Sequence, residues 1–222
     1  MSLWKLGMAA VCVVLLATGV YADTIELQNA GFDDDLTNAG GAWSVVAWQT
    51  VDDGVGPQAG THFFNLLQGN EQNVSNWLLQ GTSHTIAAGE TYSLSYYAAP
   101  RAQVYVDNPT AYVVDIVGHI YDVTTNTSLA SLTTTREAMA ANWQGAANPE
   151  SWLHQTLTFT VPEESAAIGH VLGVVFTPTS GSSWACQSCL DSVSLTLVPE
   201  PSAIVLLGMS VAGLLAYAWR KR

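Results

Sequence analysis

The sequence predicts an all-β domain, a two-sheet antiparallel β-sandwich or jelly roll, set between two hydrophobic address segments. Three observations predict it. Several runs alternate large apolar with small or polar residues at period two, which is the signature of a half-buried strand. Turn-forming residues separate those runs at short intervals. The two most apolar stretches of the 222 residues lie at the two ends, which leaves a body of ordinary composition between them.

The N-terminus, MSLWKLGMAAVCVVLLATGVYA, has one basic residue, Lys5, then an apolar run from Leu6 to about Thr18, and closes on Val20-Tyr21-Ala22. This layout predicts a secretory signal peptide over residues 1–22, its apolar run short for a permanent span, removed by signal peptidase, with an uncleaved N-terminal anchor as the alternative. The body then runs over 23–198, long enough for one domain with a proper core. Strands are expected at Thr24–Leu27, Ala42–Trp48, Thr91–Ala98, Tyr112–Tyr121, Ser128–Thr133, Trp152–Val161, His170–Thr177 and Ser192–Val198. In Tyr92-Ser93-Leu94-Ser95-Tyr96 the large residues fall on one face and the serines on the other. Gln155, Leu157 and Phe159 alternate in the same way with Thr156, Thr158 and Thr160. Ala88-Gly89-Glu90 and Thr125-Asn126-Thr127 read as turns. Arg136–Asn142 (REAMAAN) is the one clear helical stretch, expected as a loop excursion.

The charge of the body is lopsided, with 17 acidic residues against two basic ones, Arg101 and Arg136, and no lysine. Such a surface repels nucleic-acid phosphates and anionic lipid head groups, which excludes nucleic acid as a partner class. It attracts divalent cations and keeps an exported protein soluble. Two cysteines remain in the body, Cys186 and Cys189, in WACQSCLD. In an oxidising compartment they are expected to form a small local disulfide, with free thiols as the alternative. Zinc would need two further ligands that no second Cys pair or His pair supplies.

After the body, Pro199-Glu200-Pro201 ends regular structure, because proline lacks an N–H donor and fixes its backbone. Residues 202–219 carry no charge and, as a helix, would span about 27 Å, close to the hydrocarbon thickness of a bilayer. A transmembrane helix is therefore expected over 202–219, with Tyr217 and Trp219 at the interface. Arg220, Lys221 and Arg222 would be held in the cytoplasm by the positive-inside rule, leaving the body outside. Pro-Glu-Pro, an apolar helix and a terminal basic cluster together resemble the PEP-CTERM sorting signal of Gram-negative bacteria. The resemblance implies recognition and cleavage by an exosortase. It implies an inner-membrane-anchored precursor and then a place at the cell surface or in the extracellular matrix, in a setting of exopolysaccharide production. An ordinary C-terminal anchor is the alternative.

The two ends of the body carry a second resemblance. Asn29, Gly31, Phe32 and Asp33 near the start, and Asp191, Val193 and Leu195 near the end, are similar to the first and last strands of jelly-roll carbohydrate-binding modules of the galactose-binding-like kind. That resemblance implies a structural calcium shared by Asp33 and Asp191, in keeping with the preference of a hard cation for carboxylate oxygens. Sugar binding needs aromatic faces and polar side chains. Trp77 and Trp143 stand in polar, loop-like contexts and are the candidate stacking residues, while Trp48 and Trp152 read as core.

No nucleophile elbow, zinc-binding His pair, P-loop or dinucleotide fingerprint occurs. The five histidines are scattered singly, and no paired-acid strand motif marks a glycosidase. The expectation is a non-enzymatic envelope or matrix protein that binds exopolysaccharide and requires no cofactor beyond a structural calcium. The competing expectations are a structural or adhesive surface protein without glycan affinity, and a secreted glycan-active enzyme.

Overall fold

The computed structural model describes residues 22–32, 44–45, 64–67, 77–101, 106–108, 113–145, 148–179, 187–199, 217 and 219–220. The chain divides into two compact units, Thr24–Leu197 and the combined flanks Met1–Asp23 with Val198–Arg222. In the flanks, Tyr217, Trp219 and Arg220 are helical and exposed. Among the described residues, no helix is long and apolar enough to cross a membrane.

The described residues form ten strands: β1 (Asp23–Ile25), β2 (Ser44–Val45), β3 (Phe64–Leu67), β4 (Leu78–Thr85), β5 (Thr91–Pro100), β6 (Asp115–Asp122), β7 (Thr127–Thr134), β8 (Leu153–Thr160), β9 (Val171–Thr179) and β10 (Gln187–Val198). Sheet A has the order β1-β10-β5-β8, with β3 also paired to β10, and sheet B has the order β2-β4-β9-β6-β7. The chain crosses between sheets at most connections, so the architecture is a two-sheet β-sandwich with jelly-roll connectivity. Every pairing with a resolved register is antiparallel.

The core follows from period-two alternation. Tyr92, Leu94 and Tyr96 of β5 are wholly buried, and they face Leu78, Ile116, Ile120 and Phe176 from sheet B within one apolar cluster. Each such side chain contributes about 1.5–3 kcal/mol on burial. Tyr96 and Phe176 meet edge-to-face at 5.0 Å, and the Tyr96 hydroxyl lies 2.8 Å from Thr134 Oγ1. This packing requires Gly118: a Cβ there would come within 2.8 Å of Tyr96 Cε1.

The two poles of the sandwich differ. At one, short turns close the strands. Residues 86–90 join β4 to β5, Val123–Asn126 join β6 to β7, and 161–170 join β8 to β9. Two His–carboxylate pairs cap the core here. His84 Nε2 lies 3.0 Å from Glu90 Oε2, and the Tyr92 hydroxyl donates to the same oxygen at 2.5 Å. Burial alone would raise the Glu90 pKa, but hydrogen bonds from Tyr92, His84 and the Ala87 N–H outweigh it and hold the carboxyl below its usual range. Burial, aided by Glu90, pushes the Tyr92 hydroxyl far up. Asp122, almost wholly buried, accepts from Thr124 N–H, Thr125 N–H and Thr125 Oγ1, and lies 2.7 Å from His170 Nδ1. The expected turn at Asn126 is there, with Asn126 in the left-handed region at φ 56°.

At the opposite pole, the long-connection pole, the chain from β7 to β8 forms helix α1 (Arg136–Asn142) and a 3₁₀ turn at Pro149–Ser151. α1 is the expected REAMAAN excursion. Thr135 caps its N-terminus, its hydroxyl accepting from Ala138 N–H at 3.2 Å, and Met139 anchors the helix in the core. The first and last strands lie side by side, as the module resemblance implies. Asn29 and Phe32 take left-handed backbone (φ 47° and 57°), which drops Phe32 into the core against Phe64, and Val193 N–H donates to Ala30 C=O.

Candidate functional site

Strand alternation decides which side chains of sheet B look away from the core. Leu78, Ile116, Ile120 and Phe176 point inward, so Trp77, Val117, His119, Tyr121 and Thr177 stand on the outer face. Register then assembles them. Leu78, next to Trp77, pairs with Phe176, next to Thr177, and Thr177 in turn pairs with Val117, two residues before His119.

His119 sits at the centre of this row. Its Nδ1 is 2.9 Å from Ser128 Oγ and its Nε2 is 3.3 Å from Thr177 Oγ1. The single Ser128 hydroxyl proton goes to the Ala130 carbonyl at 3.1 Å. Ser128 therefore accepts from an Nδ1–H, and Nε2 accepts from the Thr177 hydroxyl. Burial pushes the His119 pKa down, so the ring is neutral near pH 7. The arrangement is a fixed, uncharged imidazole between two hydroxyls, with Tyr121 on the same strand face and the half-buried Trp77 at the edge. It can hydrogen-bond and stack; among these groups none is a charged acid or base.

A second constellation lies at the long-connection pole, on the outer side of sheet A. Ala99, Trp152 and Cys189 form a small buried cluster, and Tyr97 and Trp143 pack against it partly exposed. Asp191 is wholly buried and shares the Cys189 side of β10 by alternation. The Asp191 carboxylate accepts from the Ser192 N–H at 2.5 Å and from the Ser192 hydroxyl at 3.3 Å, at a kink where Ser192 has φ 48°. Burial pushes the Cys189 thiol far up; the nearby Arg101 guanidinium opposes this and the Asp191 carboxylate adds to it. An acid, a cation and an inert thiol thus share one apolar surrounding.

The two tryptophans singled out in the sequence are not brought together. Trp77 immediately precedes β4 of sheet B, and Trp143 lies on the outer side of sheet A, packed on Trp152 and Cys189. Trp152 is core-like, as expected. Asp33 and Cys186, the expected partners of Asp191 and Cys189, lie outside the described residues, as do Glu200, Pro201, Lys221 and Arg222. Pro199 follows β10 partly buried, and Arg220 stands in the helical part of the tail. Among the described residues, no three His, Cys, Asp or Glu side chains gather closely enough to hold a metal ion. His119, Tyr121 and Thr177 carry no mark in the sequence because each looks ordinary alone. The available signal was the alternation His119-Ile120-Tyr121 inside an expected strand, which puts both rings on one face.

Two family profiles match the chain, the HpiC1 cyclase family (HpiC1-like) over residues 23–196 and the PEP-CTERM protein-sorting motif over 197–222. Among solved structures, a cyclase from Fischerella sp. TAU is similar at 16% identity and TM-score 0.60, over 82% of this chain and 100% of that one. The Stig cyclase FisC of the same organism, in complex with (3Z)-3-(1-methyl-2-pyrrolidinylidene)-3H-indole, is similar at 14% identity and TM-score 0.57, over 81% and 99%. An arabinose-bound MgGH51 α-L-arabinofuranosidase is similar at 12% identity and TM-score 0.51, over 82% of this chain and 27% of that one. At such identities the likeness is one of fold. No curated protein matches the chain in sequence. The tail motif marks an exported protein processed at the membrane by an exosortase. With the profile covering 174 residues of sandwich and the sorting motif following directly behind, the chain belongs to the HpiC1-like cyclase family.

Proposed function

We propose that the protein is a non-catalytic binding protein of the cell envelope or extracellular matrix that holds exopolysaccharide on the outer face of sheet B. The observation that carries this reading is the neutral His119 fixed between Ser128 and Thr177, with Tyr121 on the same strand face and Trp77 preceding β4 two strands away. Hydroxyl-bonding groups flanked by aromatic surface are what a sugar ring requires. The sorting tail supports it by delivering the domain to the compartment where such a ligand is made. On a glycan array, the purified protein should bind, and Trp77→Ala or His119→Ala should weaken that binding at least tenfold at unchanged melting temperature. An array without a single hit, or variants that bind as well as the parent, would remove the reading.

The buried Asp191 carboxylate also suits the structural calcium expected with Asp33, since it offers hard oxygen donors next to the Ala30–Phe32 turn. A site filled a hundredfold above its dissociation constant adds about 2.7 kcal/mol. EDTA should therefore lower the melting temperature by about 5–10 °C in a domain of this size. A melting curve indifferent to EDTA and to added calcium counts against the metal.

A second reading is favoured by Asp191 itself. In a member of a cyclase family, a buried carboxyl in apolar surroundings is the group placed to move a proton. Related cyclases have been crystallised with an indole and with 4-(1H-indol-3-yl)butan-2-one. Turnover of an indole-bearing substrate that disappears in Asp191→Asn, with the fold retained, would replace the first reading by this one.

A further inference from the structure

We propose that the outer face of sheet A is a second polysaccharide surface, specific for an uncharged chain, so that one molecule bridges two glycan strands. The bridging rests on the glycan reading of sheet B; the second surface rests on its own residues. Register sets Thr91 opposite Thr160, Ser93 opposite Thr158, Ser95 opposite Thr156 and Tyr97 opposite His154. Tyr92, Leu94 and Tyr96 are buried in the core, so all of these point the other way. β10 adds Ser194 and Thr196, whose neighbours Val193 and Leu195 point inward, and Thr196 Oγ1 donates to the Ser93 carbonyl at 3.5 Å.

Strands lie about 4.8 Å apart and same-face residues about 6.8 Å apart, so these hydroxyls form a flat lattice roughly 20 Å long. Each hydroxyl both donates and accepts, the repertoire of a sugar hydroxyl. At the long-connection pole the lattice meets rings: Tyr97 and His154 lie 4.7 Å apart between centroids, and Trp143 packs in the same cluster as Tyr97. Aromatic faces there would receive the C–H side of a sugar ring while the lattice receives its hydroxyls.

Charge selects the ligand class. The outward positions of β5 and β8 from Thr91 to Tyr97 and from His154 to Thr160 carry no Asp, Glu, Lys or Arg, in a chain of net charge −12. An anionic polysaccharide would meet the repulsive field of the chain and no cation among these positions, Arg101 lying beyond them beside Asp191 and Cys189; a neutral one meets no such penalty.

The test uses the full chain in detergent, titrated with a neutral β-glucan and with a polyuronate of similar length, with turbidity as the cross-linking readout. The double variant Thr156→Val, Thr158→Val keeps shape and strand preference on an edge strand while deleting two hydroxyls; melting curves check its fold, and Thr158→Lys serves as a second disruption. The expected result is glucan binding at two sites per molecule with cross-linking. Either sheet A variant, or Trp77→Ala on sheet B, should reduce this to one site without cross-linking. Unchanged stoichiometry and turbidity in both sheet A variants overturns the second surface and leaves the sheet B reading standing. Tighter binding of the polyuronate overturns the ligand class. Ultracentrifugation showing a glycan-free dimer that the Thr158→Lys change dissociates assigns the face to a second copy of the chain instead, and binding of no glycan at all overturns both readings.

Discussion

Gly173→Ala is expected to lower the melting temperature by about 6–12 °C, from a loss of about 3 kcal/mol. A Cβ at Gly173 would come within 2.5 Å of Val123 Cγ2 and 2.7 Å of the Gln80 carbonyl oxygen. The valine tip could turn aside, but the carbonyl belongs to β4, which pairs with β9 here. Relief therefore requires the two central strands of sheet B to part. Gly81, directly opposite Gly173, is the control: its added Cβ would meet Val123 at 3.7 Å, an ordinary contact. Gly81→Ala should change the melting temperature by no more than about 2 °C, as expected of a substitution without a clash. Equal effects at the two positions in thermal melts would show that the strands do not approach as described.

Asp122→Ala should cost about 3–4 kcal/mol, because it strips partners from the Thr124 N–H, the Thr125 N–H and hydroxyl, and His170 at once. The same site fixes a pH dependence. Burial alone would raise the Asp122 pKa, yet the Thr125 hydroxyl, His170 and the Thr125 N–H together hold it below the ordinary value. A carboxyl with a depressed folded-state pKa contributes stability that is complete above its unfolded value of about 4 and is lost as pH falls through the folded value. Glu90 has the same sign. Stability should hold from pH 7 to about pH 5 and then fall toward pH 3, and the fall should be visibly smaller in Asp122→Ala. Parallel acid curves for parent and variant would show that this carboxylate contributes nothing through its pairing.

Much of this architecture was legible in the sequence. Where alternation was clean, as in Tyr92–Tyr96 and Gln155–Thr160, the buried and outward faces fall as expected, and each turn residue at Gly89 and Asn126 has the positive φ its chemistry favours. β4 was not legible. LLQGTSHT reads as loop because its outward positions are Gly81, Ser83 and Thr85, and the close approach of its backbone to Gly173 of β9 is one that only the third dimension reveals. β3 was lost for shortness, and β10 begins five residues earlier than expected, since Cys189 and Leu190 already belong to the sheet. The candidate site was legible only in part. Trp77 and Trp143 stand out by their polar surroundings, but which sheet each lies against depends on pairings of residues far apart in sequence. His119 became distinctive only through Ser128 and Thr177, nine and 58 residues away.

β10 runs twelve residues from the long-connection pole to the point where the sorting segment begins, and it lies between β1 on one edge and β5 on the other, with β3 also paired to its first four residues. A mechanical pull on the tail is thus delivered along the axis of an interior strand. It loads two ladders in shear together instead of peeling an outer strand one bond at a time.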